Sequence, residues 1–94
     1  MNANYQKGVR REYRAMQLLE ACGYRTMRSA GSHGPFDVVG FSKVGIVLVQ
    51  CKSNSWPSLA DQEVLRDYPT PANTLKLIYR FNDRTKTPLV REVQ

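Results

Sequence analysis

The sequence predicts a small α/β domain with two helices and five strands. An amphipathic helical segment precedes a β-rich hairpin, and a second helix followed by two more strands completes the chain. A chain of 94 residues is long enough for one modest hydrophobic core. We therefore expect residues 1–94 to form a single domain.

The first predicted helix begins near Asn2-Ala3-Asn4 and runs through Cys22 to a stop at Gly23. On a helical wheel its apolar side chains share one broad face, and Glu12 lies near the middle of that face. A carboxylate on a surface that should be buried needs a partner. Glu12 therefore forms a buried salt bridge, pairs with a helix N-terminal dipole, or joins a polar site.

Tyr24–Ser29 is predicted to be a short strand that leads into a loop over residues 30–35. The loop is rich in glycine and serine and ends in a proline, a composition typical of a flexible connection. Arg28 and Ser32 lie beside or within this loop, and both side chains are suited to phosphate contacts.

Phe36–Phe41 and Gly45–Lys52 are predicted to pair as an antiparallel hairpin around a short polar break. Directly opposed residues share a face of the sheet. On one face the expected pairs are Phe41 with Ile46, Val39 with Leu48, and Asp37 with Gln50, followed by Lys52. We expect the first helix to cover this face, which would place Glu12 over its polar end.

The polar end of the hairpin has two interpretations. Asp37 and Lys52 can form a structural ion pair at the edge of the sheet. Alternatively, Asp37 and the side-chain oxygen of Gln50 supply hard oxygen ligands for a divalent metal. Lys52 would then hold an anionic substrate or an attacking water.

The last third of the chain predicts a helix and two strands. Ser58 is suited to cap a helix that ends near Asp67, before two prolines. Residues 75–81 alternate apolar with polar side chains, as expected of a strand, and a turn over residues 82–87 leads to a final strand at Leu89–Val93.

The charge of the chain favours a polyanionic partner. The net charge is +6, and most of the excess lies in the first third of the sequence. No apolar run is long enough to span a membrane, so we expect no membrane partner and a cytoplasmic location, either at the nucleoid or as a viral product. Two cysteines and one histidine do not favour a closed zinc site within one chain.

The order of these motifs resembles the PD-(D/E)XK nuclease fold, and within it the archaeal-type Holliday junction resolvases. The residues that carry the resemblance are Gly8 and Glu12, Arg28-Ser29 with Ser32, Pro35-Phe36-Asp37, and Gln50-Cys51-Lys52. They lie in the first half of the chain, and the second half agrees only in the order of its elements.

The resemblance implies a restriction-endonuclease-like core, in which a mixed sheet of about five strands is flanked by two helices. It implies a homodimeric, Mg²⁺- or Mn²⁺-dependent endodeoxyribonuclease that resolves four-way DNA junctions by paired symmetric nicks. The implied metal ligands are Glu12, Asp37, Gln50 and the backbone carbonyl of Cys51. Lys52 would orient the nucleophilic water, and Ser32 would contact the scissile phosphate. The expected DNA-binding residues are Lys7, Arg10, Arg11, Arg14, Arg28, Ser29 and Ser32.

Three departures from the family pattern are visible. Gln50 stands where these resolvases usually have a glutamate, which predicts weaker metal binding. Phe36 separates Pro35 from Asp37, and Tyr13 replaces the arginine that commonly follows the helix glutamate. The alternatives are a repair or restriction-like endonuclease of the same fold, a non-catalytic DNA-binding module, and a basic structural protein whose polar cluster is only an ion-pair network.

Overall fold

The computed structural model describes residues 3–29 and 34–93, and it contains the predicted two helices and five strands. In chain order the elements are α1 (Ala3–Ala21), β1 (Arg25–Arg28), β2 (Val38–Ser42), β3 (Gly45–Ser53), α2 (Leu59–Asp67), β4 (Thr74–Phe81) and β5 (Leu89–Glu92). Within these described ranges neither helix has the length and apolar character that a membrane-spanning segment requires.

The strands form one mixed sheet in the order β1-β2-β3-β4-β5. β3 and β4 are parallel, and every other neighbouring pair is antiparallel. Parallel neighbours need a crossover connection, which α2 provides between β3 and β4. The predicted α/β class, with a mixed five-strand sheet and two helices, is therefore confirmed.

α1 covers one face of the sheet. Its Ala15 and Leu19 are fully buried against Val38, Val47 and Val49 of the central strands. The helix ends before Gly23, whose φ of +94° is strained for any residue with a side chain.

α2 lies on the opposite face. The hydroxyl of Ser58 accepts a hydrogen bond from the backbone N–H of Asp61 at 3.1 Å, which confirms the predicted helix cap. Leu65 is buried against Phe36 and Ile78. Ile78 and its neighbour Tyr79 belong to different core clusters because successive side chains of a strand point to opposite faces.

The hairpin has the predicted register, but the prediction of which face α1 covers is wrong. Val39 pairs with Leu48 as expected. α1, however, packs on the alternate face, which carries Val38, Val47 and Val49. The strands at the centre of this sheet are apolar on both faces, so alternation alone does not say which face meets which helix.

Candidate active site

Asp37 lies immediately before β2 and is fixed to the strands on either side of it. Its carbonyl oxygen accepts a hydrogen bond from the N–H of Ser29 at 2.9 Å, and its own N–H donates to the carbonyl of Val49 at 2.8 Å. Its carboxylate oxygen Oδ2 accepts from the N–H of Cys51 at 2.8 Å. Because the sheet ladder ends at Val38, these bonds rather than strand pairing orient Asp37.

The environment of Asp37 raises the pKa of its carboxyl above the ordinary value. Burial is the main cause, and the nearby charge of Glu12 adds to it. The hydrogen bond from Cys51 and the charge of Lys52 act in the opposite direction. Glu12 and Lys52 are therefore both close enough to influence Asp37 electrostatically, although they come from α1 and β3.

Glu12 forms an ion pair with Arg28 of β1. Arg28 Nη1 lies 2.9 Å from Glu12 Oε1, and both side chains are about one-fifth exposed, at 19% and 20%. The ring of Tyr13 lies 5.1 Å from the guanidinium carbon of Arg28. The hydrogen bond to Glu12 raises the pKa of Arg28, so this cation stays charged. The salt bridge considered for Glu12 is thus present, and the acid that it fixes is within electrostatic reach of Asp37.

Gln50 is attached to the segment that carries Asp37. Its Nε2 donates to the carbonyl of Pro35 at 3.3 Å. Its oxygen Oε1 is buried and accepts no hydrogen bond from the described residues. Buried acceptors are almost always satisfied in folded proteins, by protein groups, by ordered water or by a bound ion, so this amide oxygen is free to accept one of the last two.

The ion pair predicted between Asp37 and Lys52 is not formed. Both residues are described, and their side chains do not approach to ion-pair distance. Lys52 is half-buried on β3, where it lies beside Arg80 of β4 in the parallel register. A purely structural Asp37–Lys52 pair therefore does not account for the polar end of the hairpin.

The donors at this site fit a hard divalent cation. No group of three or more Asp, Glu, His or Cys side chains in residues 3–29 and 34–93 is arranged as a metal site. The amide oxygen of Gln50, which is buried and accepts no hydrogen bond from the described residues, would add a neutral oxygen donor to the carboxylate of Asp37. Mg²⁺ and Mn²⁺ prefer such oxygen ligands, and both commonly bind through only one or two carboxylates.

The predicted DNA-binding residues fall into two groups. Arg28 and Ser29 lie at the end of β1: Arg28 binds Glu12, and the hydroxyl of Ser29 donates to the carbonyl of Phe36 at 2.6 Å, across the intervening loop. Ser32 lies outside the described residues. The remaining four, Lys7, Arg10, Arg11 and Arg14, line a groove on the side of α1 near β4.

Sequence reasoning missed the other side of that groove. Arg84 and Lys86, in the turn between β4 and β5, line it opposite α1. The sequence marked residues 82–87 only as a turn. Its two basic residues were a signal, but nothing in the sequence placed them against a helix that lies about seventy positions earlier.

The chain is similar in fold to a Holliday junction resolvase. No protein-family model matches the chain, and no curated protein matches it by sequence. Among solved structures it is similar to Hjc of Archaeoglobus fulgidus, described as a Holliday junction resolvase from an archaeal hyperthermophile. The two superpose with a TM-score of 0.72 at 21% identity, over 94% of this chain and 74% of the other. The chain therefore has the restriction-endonuclease-like fold of that resolvase.

Proposed function

We propose that the protein is a metal-dependent, structure-selective DNA endonuclease that resolves four-way junctions. The observation that carries this proposal is that Asp37, Gln50 and Lys52 lie at one end of the sheet, with Glu12 within electrostatic reach of Asp37, in a fold similar to that of a resolvase. The basic groove beside α1 supports it, because DNA binding depends on phosphate contacts.

The metal would be held by Asp37, Glu12, the amide oxygen of Gln50 and the backbone carbonyl of Cys51. When bound, a divalent cation lowers the pKa of a coordinated water and stabilises negative charge on the leaving oxygen. The buried Gln50 oxygen, which accepts no hydrogen bond from residues 3–29 and 34–93, supports this assignment. Because Gln50 is neutral where the resolvases usually have an acid, we expect weak binding of the metal.

The side chains around the metal have separate tasks. Lys52 would orient the attacking water and stabilise negative charge on the phosphate. Arg28 would keep Glu12 in place through the ion pair it already forms. A four-way junction presents two equivalent strands, so a two-fold homodimer would match its symmetry.

The test is a synthetic four-way junction with Mg²⁺, analysed on denaturing gels. We expect symmetric paired nicks by the wild type and a loss of at least about a hundredfold in Asp37→Asn and Lys52→Ala, with junction binding retained. Asp67→Asn and Lys43→Ala remove the same charges at exposed positions and serve as controls. Normal cleavage by both site variants would contradict the assignment, and equal cleavage of linear duplex would indicate a generic nuclease.

A non-catalytic DNA-binding module is the second candidate. Two observations favour it: the described residues contain no three-member group of acidic, histidine or cysteine metal ligands, and Glu12 is already neutralised by Arg28. Calorimetry with Mn²⁺ separates the two candidates. Binding that disappears in Asp37→Asn supports the enzyme, whereas junction binding without any Mn²⁺ binding supports the module.

A further inference from the structure

A groove of about 580 Å³ lies between α1 and the turn that joins β4 to β5. Six basic side chains line it: Lys7, Arg10, Arg11 and Arg14 from the helix, and Arg84 and Lys86 from the turn. The turn and the helix are far apart in sequence, so this concentration of charge exists only in the folded protein.

Three of the four helix cations, Lys7, Arg11 and Arg14, are fixed by contacts between the two sides of the groove. Asp83 of the turn pairs with Lys7 and also with Arg11, whose Nη2 lies 3.2 Å from the carboxylate. Arg14 Nε donates to the carbonyl of Lys86 at 3.1 Å. The hydrogen bond from Lys7 lowers the pKa of Asp83 to about 2, so Asp83 stays charged and keeps this arrangement. The single negative charge of Asp83 balances only one of the six positive charges, so the groove remains strongly basic.

Arg84 occupies a backbone conformation that arginine adopts rarely. Its φ is +68°, in the left-handed region where glycine and asparagine are favoured. The turn is closed by Thr85, whose N–H and hydroxyl both donate to the carbonyl of Asn82. The turn imposes this conformation on the backbone, and the side chain of Arg84 lines the groove.

We propose that this groove binds the sugar–phosphate backbone of DNA and that Arg84 and Lys86 are phosphate contacts. The choice of DNA rests on the proposed function. Four of the six cations are arginines, whose planar guanidinium group matches phosphate oxygens in pairs.

The groove is also continuous with the candidate active site. Arg11 donates a hydrogen bond to the hydroxyl of Ser53, the residue that follows Lys52 on β3. Arg11 is also close enough to Cys51 to act on its thiol, together with Asp37 and Glu12. Arg11 therefore lies at the end of the groove nearest the candidate active site, on the face of β3 that α1 covers.

The test measures the binding of a fluorescent four-way junction by anisotropy, in EDTA, over a range of salt concentrations. Each lost phosphate contact reduces the slope of log K against log salt by about 0.9, which is about eightfold in affinity at 0.1 M salt. We expect one such loss in Arg84→Gly, one in Lys86→Gln and both in the double variant. Arg66→Gln and Lys43→Gln, at exposed positions away from the groove, are the matched controls and should bind normally.

Thermal unfolding and a charge-preserving variant separate a binding role from a structural one. Glycine relieves the positive φ, so Arg84→Gly should keep or raise the Tm while it loses affinity. Arg84→Lys should keep most of the salt slope. If Arg84→Gly unfolds, Lys86→Gln carries the test alone.

Unchanged affinity and slope in the double variant would overturn the groove assignment, as would an equal loss in the two controls. If the groove instead bound an acidic protein, the double variant would bind the junction with unchanged affinity and salt slope. The proposed function fails separately: a wild type that binds the junction through the groove but does not nick it in Mg²⁺ contradicts the endonuclease and leaves the groove assignment intact.

Discussion

Arg28 Nη1 lies 2.9 Å from Glu12 Oε1, and this contact holds the acid of α1 against the end of β1. Arg28 pairs with Val38 across the sheet, so both residues face α1. Asp37 directly precedes Val38. Glu12 therefore reaches the neighbourhood of Asp37 even though α1 covers the face that the sequence did not predict.

A double-mutant cycle tests whether this ion pair is structural. We expect Glu12→Gln and Arg28→Met to show a clear coupling free energy in urea unfolding, because both side chains are largely shielded from water. Arg66 and Asp67 form an ion pair with side chains 49% and 71% exposed, and their cycle is the control. Equal coupling in the two cycles would contradict a fixed Glu12–Arg28 pair.

Restoring an acid at position 50 should strengthen metal binding. We expect Gln50→Glu to raise the Mn²⁺ affinity on the order of tenfold, because each added negative ligand favours the cation. The metal-free protein should lose stability, since the new carboxylate would be buried where the Gln50 oxygen accepts no hydrogen bond from the described residues. Calorimetry and thermal unfolding measure the two effects.

Gln62→Glu is the matched control for that substitution. Gln62 also donates from Nε2 to a proline carbonyl, that of Pro57 at 2.8 Å, but it lies on α2. The Gln62→Glu variant should therefore leave Mn²⁺ binding unchanged. Equal gains in both variants would show only a general effect of charge.

The raised pKa of Asp37 predicts a pH-dependent cost to stability in the metal-free protein. Burial and Glu12 raise the pKa above the ordinary value of 3.8, so the folded protein binds a proton that the unfolded chain releases. Stability from this group falls as pH rises from 3.8 through the folded pKa, and it stays lower above that range. Asp37→Asn should therefore raise the Tm at pH 7 and have little effect near pH 3.

The exposed Asp67 provides the control for that experiment, because Asp67→Asn removes the same charge without desolvation. An Asp37→Asn variant less stable than the wild type at pH 7 would contradict the prediction. It would mean that the hydrogen bond from Cys51 outweighs the burial of the carboxylate.

Gly8 lies inside α1 without a packing reason. A Cβ built at Gly8 would meet no atom within 4 Å, so the fold does not require glycine there. We expect Gly8→Ala to stabilise the protein by about 0.5–1 kcal/mol through helix propensity. If the space at Gly8 admits a DNA phosphate, as the sequence suggested, the same variant should bind the junction more weakly.

Gln6→Ala is the control, at an exposed position of the same helix turn. It should change neither the free energy of unfolding nor the junction affinity much. Urea unfolding and junction anisotropy measure stability and binding on the same samples. Gly8→Ala that gains stability and keeps full affinity would remove Gly8 from the DNA-binding surface.

Local sequence patterns were sufficient to predict the helices and strands and many of the candidate site residues. The hairpin register followed from a short break between two β-rich runs, and it placed Asp37 and Gln50 at the same end of the sheet. The cap at Ser58 and the stop at Gly23 were equally local. These features depend on neighbouring residues only, so a single sequence contains the information.

The face covered by α1 could not be predicted because it is a long-range choice. Residues 46–49 are apolar at every position, and α1 and α2 each need an apolar surface to cover. Packing of the whole domain selects the face. The partner of Glu12 depends on that selection, because only the face with Val38 also presents Arg28.

By itself the sequence determined the order of helices and strands, the register of the hairpin and the residue types of a hard-cation site, since each depends on spacing along the chain. Tertiary structure alone decided that Arg28 holds Glu12, that the Gln50 oxygen is buried without a hydrogen bond from the described residues, and that Arg84 and Lys86 face the cations of α1. Those contacts join distant segments, and their geometry is set by how the two helices and the sheet bury their apolar surface.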